Sequence, residues 1–233
     1  VADRIAAAAE RARLVFNEPY ELPEGGVLEA ELPSNLRNAE PRALAAGIAD
    51  AVFAADCVEG GSINATEIFL YRDTVRVVNS RGIDKTQVKY RAMIEAIPTF
   101  TEGEDSVELY EAYRFTCLLY KMQEVSLRRR AQKPATPMTA RVVLRSKEIG
   151  ELMSELAGDL NYANVYAQGN LHKKGEALQG DTPSGDPLTL TLCGQVRGSG
   201  NSAFFDGDGV ALTDTTVIRN GSVSAYYGTH RFA

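Results

Sequence analysis

The chain has 233 residues, of which 44% are hydrophobic, so it is long enough to bury a core and does not have the composition of a disordered protein. Its formal net charge is -6 and its sequence pI is near 5.1. This acidic balance gives no sign of a surface that binds nucleic-acid phosphates, and the one basic run, residues 128–130, is interpreted as the positively charged end of a helix. We therefore expect no direct contact with nucleic acid.

The cysteines and the apolar segments indicate a cytoplasmic protein. Cys57, Cys117 and Cys193 are odd in number, widely spaced and without a CxxC motif, so we expect buried thiols in a reducing compartment. No segment reaches about 18 consecutive apolar residues, so we expect no contact with a membrane. The start has no signal-peptide pattern. The chain begins inside a helical pattern and ends in a strand-like one, so we expect it to be part of a longer protein.

The first quarter of the chain contains two helical patterns separated by a connector. Residues 2–16 are rich in alanine, with arginine and glutamate at spacings typical of a solvent-exposed helix face. Residues 18–41 contain four prolines, which predicts an extended segment. Residues 42–57 repeat apolar side chains at the helical period. The stripe predicted to face the core consists of Leu44, Ile48, Val52 and Phe53.

A small antiparallel sheet and a long helix are predicted next. Two alternating segments are separated by the polar pair Arg72-Asp73, which predicts the turn of a hairpin. The two predicted faces carry Ile68, Leu70, Val75 and Val77 on one side and Glu67, Arg72 and Arg76 on the other. Residues 87–97 can add a third strand, and residues 107–130 are predicted to form the longest helix. A polar, proline-containing linker around residues 134–137 then predicts a domain boundary.

The second half of the chain is predicted to fold as a sheet around one helix. Residues 140–144 have a strand pattern, and Ser146 is positioned to cap a helix over residues 147–160, which stabilises it by about 1 kcal/mol. The helix residues predicted to be buried are Ile149, Leu152, Met153 and Leu156. Further strands are predicted over residues 188–196, 211–218 and 223–227. Asn220-Gly221 suits the positive φ angles of a tight hairpin turn between the last two.

These elements predict an α+β fold in two domains. The N-terminal domain, residues 1–133, combines helices with a small antiparallel sheet and is expected to be incomplete at its start. The C-terminal domain, residues 138–233, is rich in antiparallel strands around one helix and is expected to be incomplete at its end.

The helix over residues 147–160 carries the first candidate site. Glu155 and Asp159 lie four residues apart, so their carboxylates share one helix face. Such a pair can hold a hard cation, and a carboxylate with a raised pKa can act as a general base. The structural alternative is that both residues are solvent-exposed and lie opposite the apolar stripe. No histidine lies in this helix, whereas a hydrolytic zinc site needs about three protein ligands.

Three other features are interpreted structurally. Residues 205–209 resemble the start of a calcium loop but lack its later acidic ligands, so they predict a turn. The glycine-rich residues 198–201 are not followed by the lysine of a phosphate-binding loop and predict a flexible loop. His172 and His230 are far apart in the sequence, and neither is predicted to belong to a catalytic triad.

Two segments of the chain together resemble the TldD/PmbA family. Residues 59–64 through 78–82, which end in Asn-Ser-Arg-Gly, are similar to a hairpin of the family. Residues 205–210 through 217–221, followed by residues 226–233, are similar to its C-terminal strand pair. Members of this family are candidate modulators of DNA gyrase and act as peptide-maturing metalloproteases. The resemblance covers nearly the whole chain.

The resemblance implies a zinc-binding helix in the catalytic branch and its loss in this chain. In the TldD branch the helix carries HExxxH, in which the histidines bind zinc and the glutamate is the general base. The corresponding residues here are Ser154, Glu155 and Asp159, so the glutamate alone is retained. This is similar to the PmbA (TldE) branch, which lacks the motif and pairs with a TldD subunit. The resemblance therefore implies no cofactor in this chain and zinc in a catalytic partner.

Three hypotheses follow. In the first, the chain is a non-catalytic PmbA/TldE-like subunit that forms a heterodimer with a TldD-like subunit, or a homodimer, and acts on unfolded peptides, with Glu155 as a relic. In the second, it is a stand-alone metal-dependent hydrolase that uses Glu155 and Asp159 with a further ligand such as His172 or Asp181. In the third, suggested by the family's name, it is a protein-binding modulator of DNA gyrase.

Overall fold

The computed structural model describes residues 1–15, 20–54, 56, 59–108, 110–115, 139, 141–144, 146–180, 182 and 185–232. The helices of the described chain are α1 (Ala2–Ala12), α2 (Pro41–Ala54), α3 (Ser146–Asp159) and α4 (Tyr162–Tyr166), with a short 3₁₀ helix at His230–Phe232. Its strands are β1 (Val27–Glu31), β2 (Gly61–Val78), β3 (Asp84–Glu102), β4 (Asp105–Glu108), β5 (Glu111–Phe115), β6 (Leu190–Leu192), β7 (Thr215–Arg219) and β8 (Ser222–Val223). The predicted α+β class is confirmed.

The long hairpin β2–β3 dominates the first sheet, and its turn lies elsewhere than predicted. The two strands pair in antiparallel fashion from Gly61–Phe100 to Val78–Asp84, so the chain passes through residues 72 and 73 without turning. The turn follows β2, where the Asn79 carboxamide accepts the N–H groups of Arg81 and Ile83. Gly82 has a φ of +92°, which glycine adopts without steric cost.

The polar residues that suggested a turn are accommodated inside β2 by cross-strand pairs. Arg91 Nε lies 2.7 Å from the Asp73 carboxylate, and Arg76 Nε lies 2.8 Å from Asp84. The Arg76 guanidinium lowers the pKa of the Asp84 carboxyl through these hydrogen bonds. Because β2 is continuous, Ile68 and Val75 lie on opposite faces of the sheet, and the predicted single apolar face is wrong.

The other strands of this sheet all pair with β3. β1 pairs in parallel with its first half, while β4 and β5 pair in antiparallel fashion with its second half. The helix predicted over residues 107–130 is therefore wrong for residues 107–108 and 111–115, which lie in strands paired with β3. Residues 109 and 116–130 lie outside the described chain. The sheet is mixed and larger than the small antiparallel sheet that the sequence predicted.

Helix α2 covers one face of this sheet. It begins at Pro41, and the Glu40 carboxylate accepts the N–H of Ala43 in the first turn. The predicted stripe is confirmed for Ile48 and Val52, which are buried, but Phe53 is 50% exposed. The core that they form also contains Leu36, Ile63, Ala92, Ile94 and Ala96, with Leu44 packed against it. Helix α1 has no buried residue.

The second core lies under α3 and the β6–β7–β8 sheet. Leu160, Val217, Ile218 and Val223 are buried there, and Leu156 packs against them. Asn220 and Gly221 have φ values of +48° and +81°, so the predicted tight turn between β7 and β8 is confirmed. The observed strands are shorter than those predicted.

Three predictions for the second half are wrong. Residues 141–144 belong to no strand of the described chain. On α3, Ile149 and Leu152 are 44% and 54% exposed and the prediction is wrong for them, whereas the predicted Leu156 does pack against the second core and Ala157 is buried. Cys193 is an exposed free thiol; Cys57 and Cys117 lie outside the described chain.

The two halves meet along one face of β3. Lys85 Nζ donates to the Gly209 carbonyl at 2.8 Å, and Lys89 Nζ donates to the Gly200 carbonyl at 3.4 Å. Between them the buried Gln87 accepts the Phe204 N–H at 2.8 Å. The predicted boundary near residues 134–137 lies outside the described chain, so the division into two domains stays a prediction. No described helix has the length and apolar character needed to cross a bilayer.

Candidate functional site

Helix α3 presents two of the candidate residues to solvent and holds the third at its end. Ser154 and Glu155 are exposed, and the Ser154 hydroxyl donates to the Gly150 carbonyl one turn earlier at 2.9 Å. A serine that bonds to its own helix in this way makes a purely local contact. Asp159 is the last residue of α3, and its side chain is 15% exposed.

The Asp159 carboxylate is surrounded by hydrogen-bond donors from a single loop. Its oxygens accept the Leu171 N–H at 2.6 Å and the His172 N–H at 3.1 Å. His172 Nδ1 lies 3.0 Å from the same carboxylate. Burial alone would raise the pKa of Asp159, but the hydrogen bonds from Leu171 and His172 outweigh it and lower the pKa below its ordinary value. The carboxylate is therefore ionised and fastens the loop to the helix.

The loop is fixed from the opposite side by Tyr226. The Tyr226 hydroxyl accepts the Lys174 N–H at 3.0 Å and lies 3.4 Å from the His172 carbonyl. The ring of Tyr226 packs edge-on against Tyr162 in α4, with 5.7 Å between ring centroids. His172 is consequently held between α3 and the segment that follows β8, with its side chain 30% exposed.

The structure brings together part of the ligand set considered for a metal. Asp159 and His172 are adjacent, as the stand-alone hydrolase hypothesis requires, whereas Asp181 lies outside the described chain. Within the described ranges, no cluster of three or more histidine, cysteine, aspartate or glutamate side chains is arranged to hold a metal ion. A zinc site of the usual kind needs about three such ligands. The roles assigned to Ser154, Glu155 and Asp159 stay predictions.

The loop at residues 205–209 is the predicted turn. Asp206 Oδ1 accepts the N–H groups of Asp208 and Val210, each at 2.9 Å, so one carboxylate oxygen is engaged inside the loop. Gly209 closes the turn with a φ of +80°. His230 lies at the far end of the chain in the short 3₁₀ helix, and its ring contacts Tyr20, with 6.4 Å between ring centroids.

Sequence reasoning missed the donors that surround Asp159. Two of the three are backbone N–H groups, which carry no residue-specific signal, and they come from residues twelve and thirteen positions along the chain. The Lys85, Gln87 and Lys89 contacts to the second half were also missed. They alternate with Thr86, Val88 and Tyr90 along β3, a pattern typical of a solvent-facing side of a strand, so the sequence carries no signal for these contacts.

The comparisons with known proteins agree with the motifs. Residues 137–233 match the model of the PmbA/TldA metallopeptidase C-terminal domain. The fold is similar to TldE from Thermococcus kodakarensis, with a TM-score of 0.74, 17% identity, and coverage of 98% of this chain and 54% of that one. No protein of curated function matches the chain significantly.

Two further structures share the fold. A candidate modulator of DNA gyrase from Bacteroides thetaiotaomicron has a TM-score of 0.66 and 20% identity, covering 91% of this chain and 50% of that one. A candidate modulator of a DNA gyrase from Thermotoga maritima has a TM-score of 0.60 and 14% identity, with coverage of 93% and 50%. This chain thus spans about half the length of each. Residues 137–233 are therefore similar to the C-terminal domain of the PmbA/TldA metallopeptidases, and the chain as a whole has a fold similar to that of TldE.

Proposed function

We propose that this chain is a PmbA/TldE-like, non-catalytic subunit of a TldD/TldE-type metalloprotease complex that acts on unfolded peptides. The observation that carries the proposal is the engagement of the Asp159 carboxylate by Leu171 and His172. In the family pattern this position belongs to the second zinc-binding histidine. Here it holds an ionised side chain whose oxygens are engaged by the loop.

The other motif positions fit the same role. Ser154, at the position of the first histidine, bonds to its own helix and is a poor zinc ligand. Glu155 is exposed beside Ser154, which is not a zinc ligand, so we assign it no role as a general base. We therefore assign zinc to a TldD-like partner subunit and regard Glu155 as a relic of the catalytic motif.

The sheets provide a means of binding an extended peptide. Within the described residues, β2 pairs with β3 alone, so one edge of this long strand offers unpaired backbone groups. β6 likewise pairs only with β7 in the described part of the chain. An unfolded peptide can add to such an edge through main-chain hydrogen bonds, which recognise backbone rather than sequence. This supports a subunit that holds peptide for cleavage elsewhere.

The test is the metal content and peptidase activity of the purified chain, alone and mixed with a TldD-type subunit. We expect no zinc and no cleavage of an unfolded casein substrate with the chain alone, and both in the mixture. Glu155→Gln in this chain should leave the activity of the mixture unchanged. About one zinc per chain in the isolated protein, with cleavage activity, would overturn the proposal.

The adjacency of Asp159 and His172 favours a stand-alone metal-dependent hydrolase as the second candidate. In that case the two residues would share a metal with Glu155 or with a ligand outside the described chain. Glu155→Gln would then abolish the activity of the isolated chain.

The structures from Bacteroides thetaiotaomicron and Thermotoga maritima favour a third candidate, a modulator that binds DNA gyrase as a protein partner. The net charge of -6 makes direct DNA binding unfavourable. Addition of the chain to a gyrase supercoiling assay would test this role, and an unchanged rate would remove it.

A further inference from the structure

The Asn-Ser-Arg-Gly motif at residues 79–82 forms the tip of the β2–β3 hairpin and also holds a second segment of the chain. Residues 20–26, which we call the strap, contact this tip through backbone carbonyls. The Asn79 side-chain N–H donates to the Pro23 carbonyl at 2.8 Å, and the backbone N–H of Asp84 donates to the Gly26 carbonyl at 3.3 Å. The hairpin tip is therefore an attachment site for the strap as well as a turn.

Arg81 supplies the ionic part of this attachment. Its guanidinium donates to the Glu21 carboxylate and to the Leu22 carbonyl, each at 3.2 Å, and also to the Glu24 carboxylate. The Glu21 and Glu24 side chains are 88% and 73% exposed. Exposed ion pairs are individually weak, because water screens the charges whether or not they are paired. The strap can therefore leave the tip without uncovering a buried charge.

Ile83 connects the strap to the second half of the chain. Its side chain is 1% exposed and lies against two glycines, Gly25 of the strap and Gly209 of the 205–209 loop. A Cβ added at Gly25 would lie 2.6 Å from Ile83, and one added at Gly209 would lie 2.7 Å from it. Both segments thus pack closely on the same side chain, so a displacement of Ile83 changes both contacts. Lys85 adds a hydrogen bond to the Gly209 carbonyl at 2.8 Å.

The strap reaches the second half at a further point through Tyr20. The Tyr20 and His230 rings are in contact, with 6.4 Å between their centroids. Desolvation and the nearby Asp208 carboxylate raise the pKa of the Tyr20 hydroxyl. His230 follows Tyr226, whose hydroxyl fixes the loop that carries His172. The strap therefore contacts the hairpin tip, the 205–209 loop and the C-terminal segment together.

We propose that the strap is a releasable tie between the two halves of the chain, and that its departure from the hairpin tip loosens the 205–209 loop. The seated strap confines Ile83 against Gly209 and keeps Tyr20 beside Asp208. Once the strap leaves, Ile83 can move into the space that Gly25 vacates, and the loop loses both contacts. Because such a coupling is reciprocal, loosening of the loop also favours release of the strap. This proposal does not depend on the proposed function, since it involves neither zinc nor a peptide.

The test is amide hydrogen exchange in Arg81→Ala, which removes the three hydrogen bonds of the guanidinium to the strap. The Asp84 N–H, whose acceptor is the Gly26 carbonyl, should exchange about 10-fold faster or more. The N–H groups of Asp208 and Val210 bond to Asp206 inside the loop and should accelerate by a similar factor. Acceleration at Asp84 alone would overturn the coupling. No acceleration at any of the three would overturn the tie itself.

The matched control is Arg37→Ala, which removes another ion pair of the first half, between Arg37 Nε and the Glu31 carboxylate at 2.9 Å. It should leave the exchange of all three N–H groups unchanged. Acceleration in the control as well would mean general destabilisation and would also overturn the proposal. The double variant Glu21→Ala, Glu24→Ala loosens the strap from its own side and leaves the hairpin intact. It should reproduce the effect of Arg81→Ala and decides the matter should Arg81→Ala fail to fold.

Discussion

The anchoring of the loop at residues 171–172 by Asp159 can be tested through stability. Asp159→Asn keeps the size of the side chain and one acceptor oxygen but removes the charge. Hydrogen bonds to a charged group contribute about 1.5–3 kcal/mol each, and three donors at 2.6, 3.1 and 3.0 Å share this carboxylate. Because the contributions overlap and the amide oxygen retains part of them, we expect a loss of about 2 kcal/mol in the free energy of unfolding.

The assay is urea denaturation at pH 7, with Glu155→Gln as the matched control. Glu155 lies one helical turn before Asp159 and is exposed, so the same loss of charge there should change the unfolding free energy by less than about 0.5 kcal/mol. Equal stabilities of wild type, Asp159→Asn and Glu155→Gln would refute the anchoring role. Amide hydrogen exchange at Leu171 should accelerate in Asp159→Asn alone, since its N–H loses its charged acceptor.

The pH dependence follows from the direction of the pKa shift. The pKa of Asp159 is lower in the folded protein than in the unfolded chain, because hydrogen bonds from Leu171 and His172 outweigh the effect of burial. The stability that this carboxylate contributes is fully present above its unfolded pKa of about 3.9 and is lost as the pH falls through the lower folded value. The difference in free energy of unfolding between the wild type and Asp159→Asn should therefore be constant near neutral pH and become smaller below about pH 4. A difference that is the same at pH 7 and pH 3 would contradict this reasoning.

Three further substitutions test the packing by urea denaturation. Gly209→Ala should lower the free energy of unfolding by about 1–3 kcal/mol, because Gly209 has a φ of +80° and an added Cβ would lie 2.7 Å from a side-chain carbon. The control Gly207→Ala places its Cβ in open space and should lower it by less than about 0.5 kcal/mol. Gln87→Leu leaves the Phe204 N–H without its acceptor and should lower the free energy of unfolding by about 1–3 kcal/mol. An unchanged free energy of unfolding would show that this hydrogen bond does not help to hold the two halves together. Ile48→Ala should cost about 2–5 kcal/mol, and a loss below about 1 kcal/mol would contradict its place in the first core.

The elements that sequence reasoning predicted well are those specified by adjacent residues. α2 and α3 have apolar residues at the helical period, and the Asn220-Gly221 turn depends on two residues that tolerate positive φ. None of these needs a distant partner to be recognised. The α+β class follows from them, because helices and antiparallel strands occur in separate stretches of the chain.

The errors occurred where a distant partner decides the structure. β5 forms its hydrogen bonds with residues 92–96 of β3. Nothing in the sequence of residues 107–115 indicates that the edge of β3 is free to pair with them. The hairpin turn was misplaced for a related reason. Arg72 and Asp73 suggest a turn when considered alone, but Asp73 is paired with Arg91 across the sheet, which permits polar residues in the middle of a strand.

The candidate site contains features that adjacent residues specify and features that depend on residues distant in the sequence. The helix and the positions of Ser154, Glu155 and Asp159 were predictable, since they depend on periodicity and on the order of motifs along the chain. The role of Asp159 as an attachment point for the loop was not predictable, because two of its partners are backbone N–H groups, which almost every residue type carries. An imidazole at this position could not accept both N–H groups as two carboxylate oxygens do. Under the proposed function, Asp159 attaches the loop at residues 171–172 to α3 and does not bind zinc. This attachment requires an ionised side chain at residue 159, because a neutral amide offers one acceptor oxygen where the carboxylate offers two.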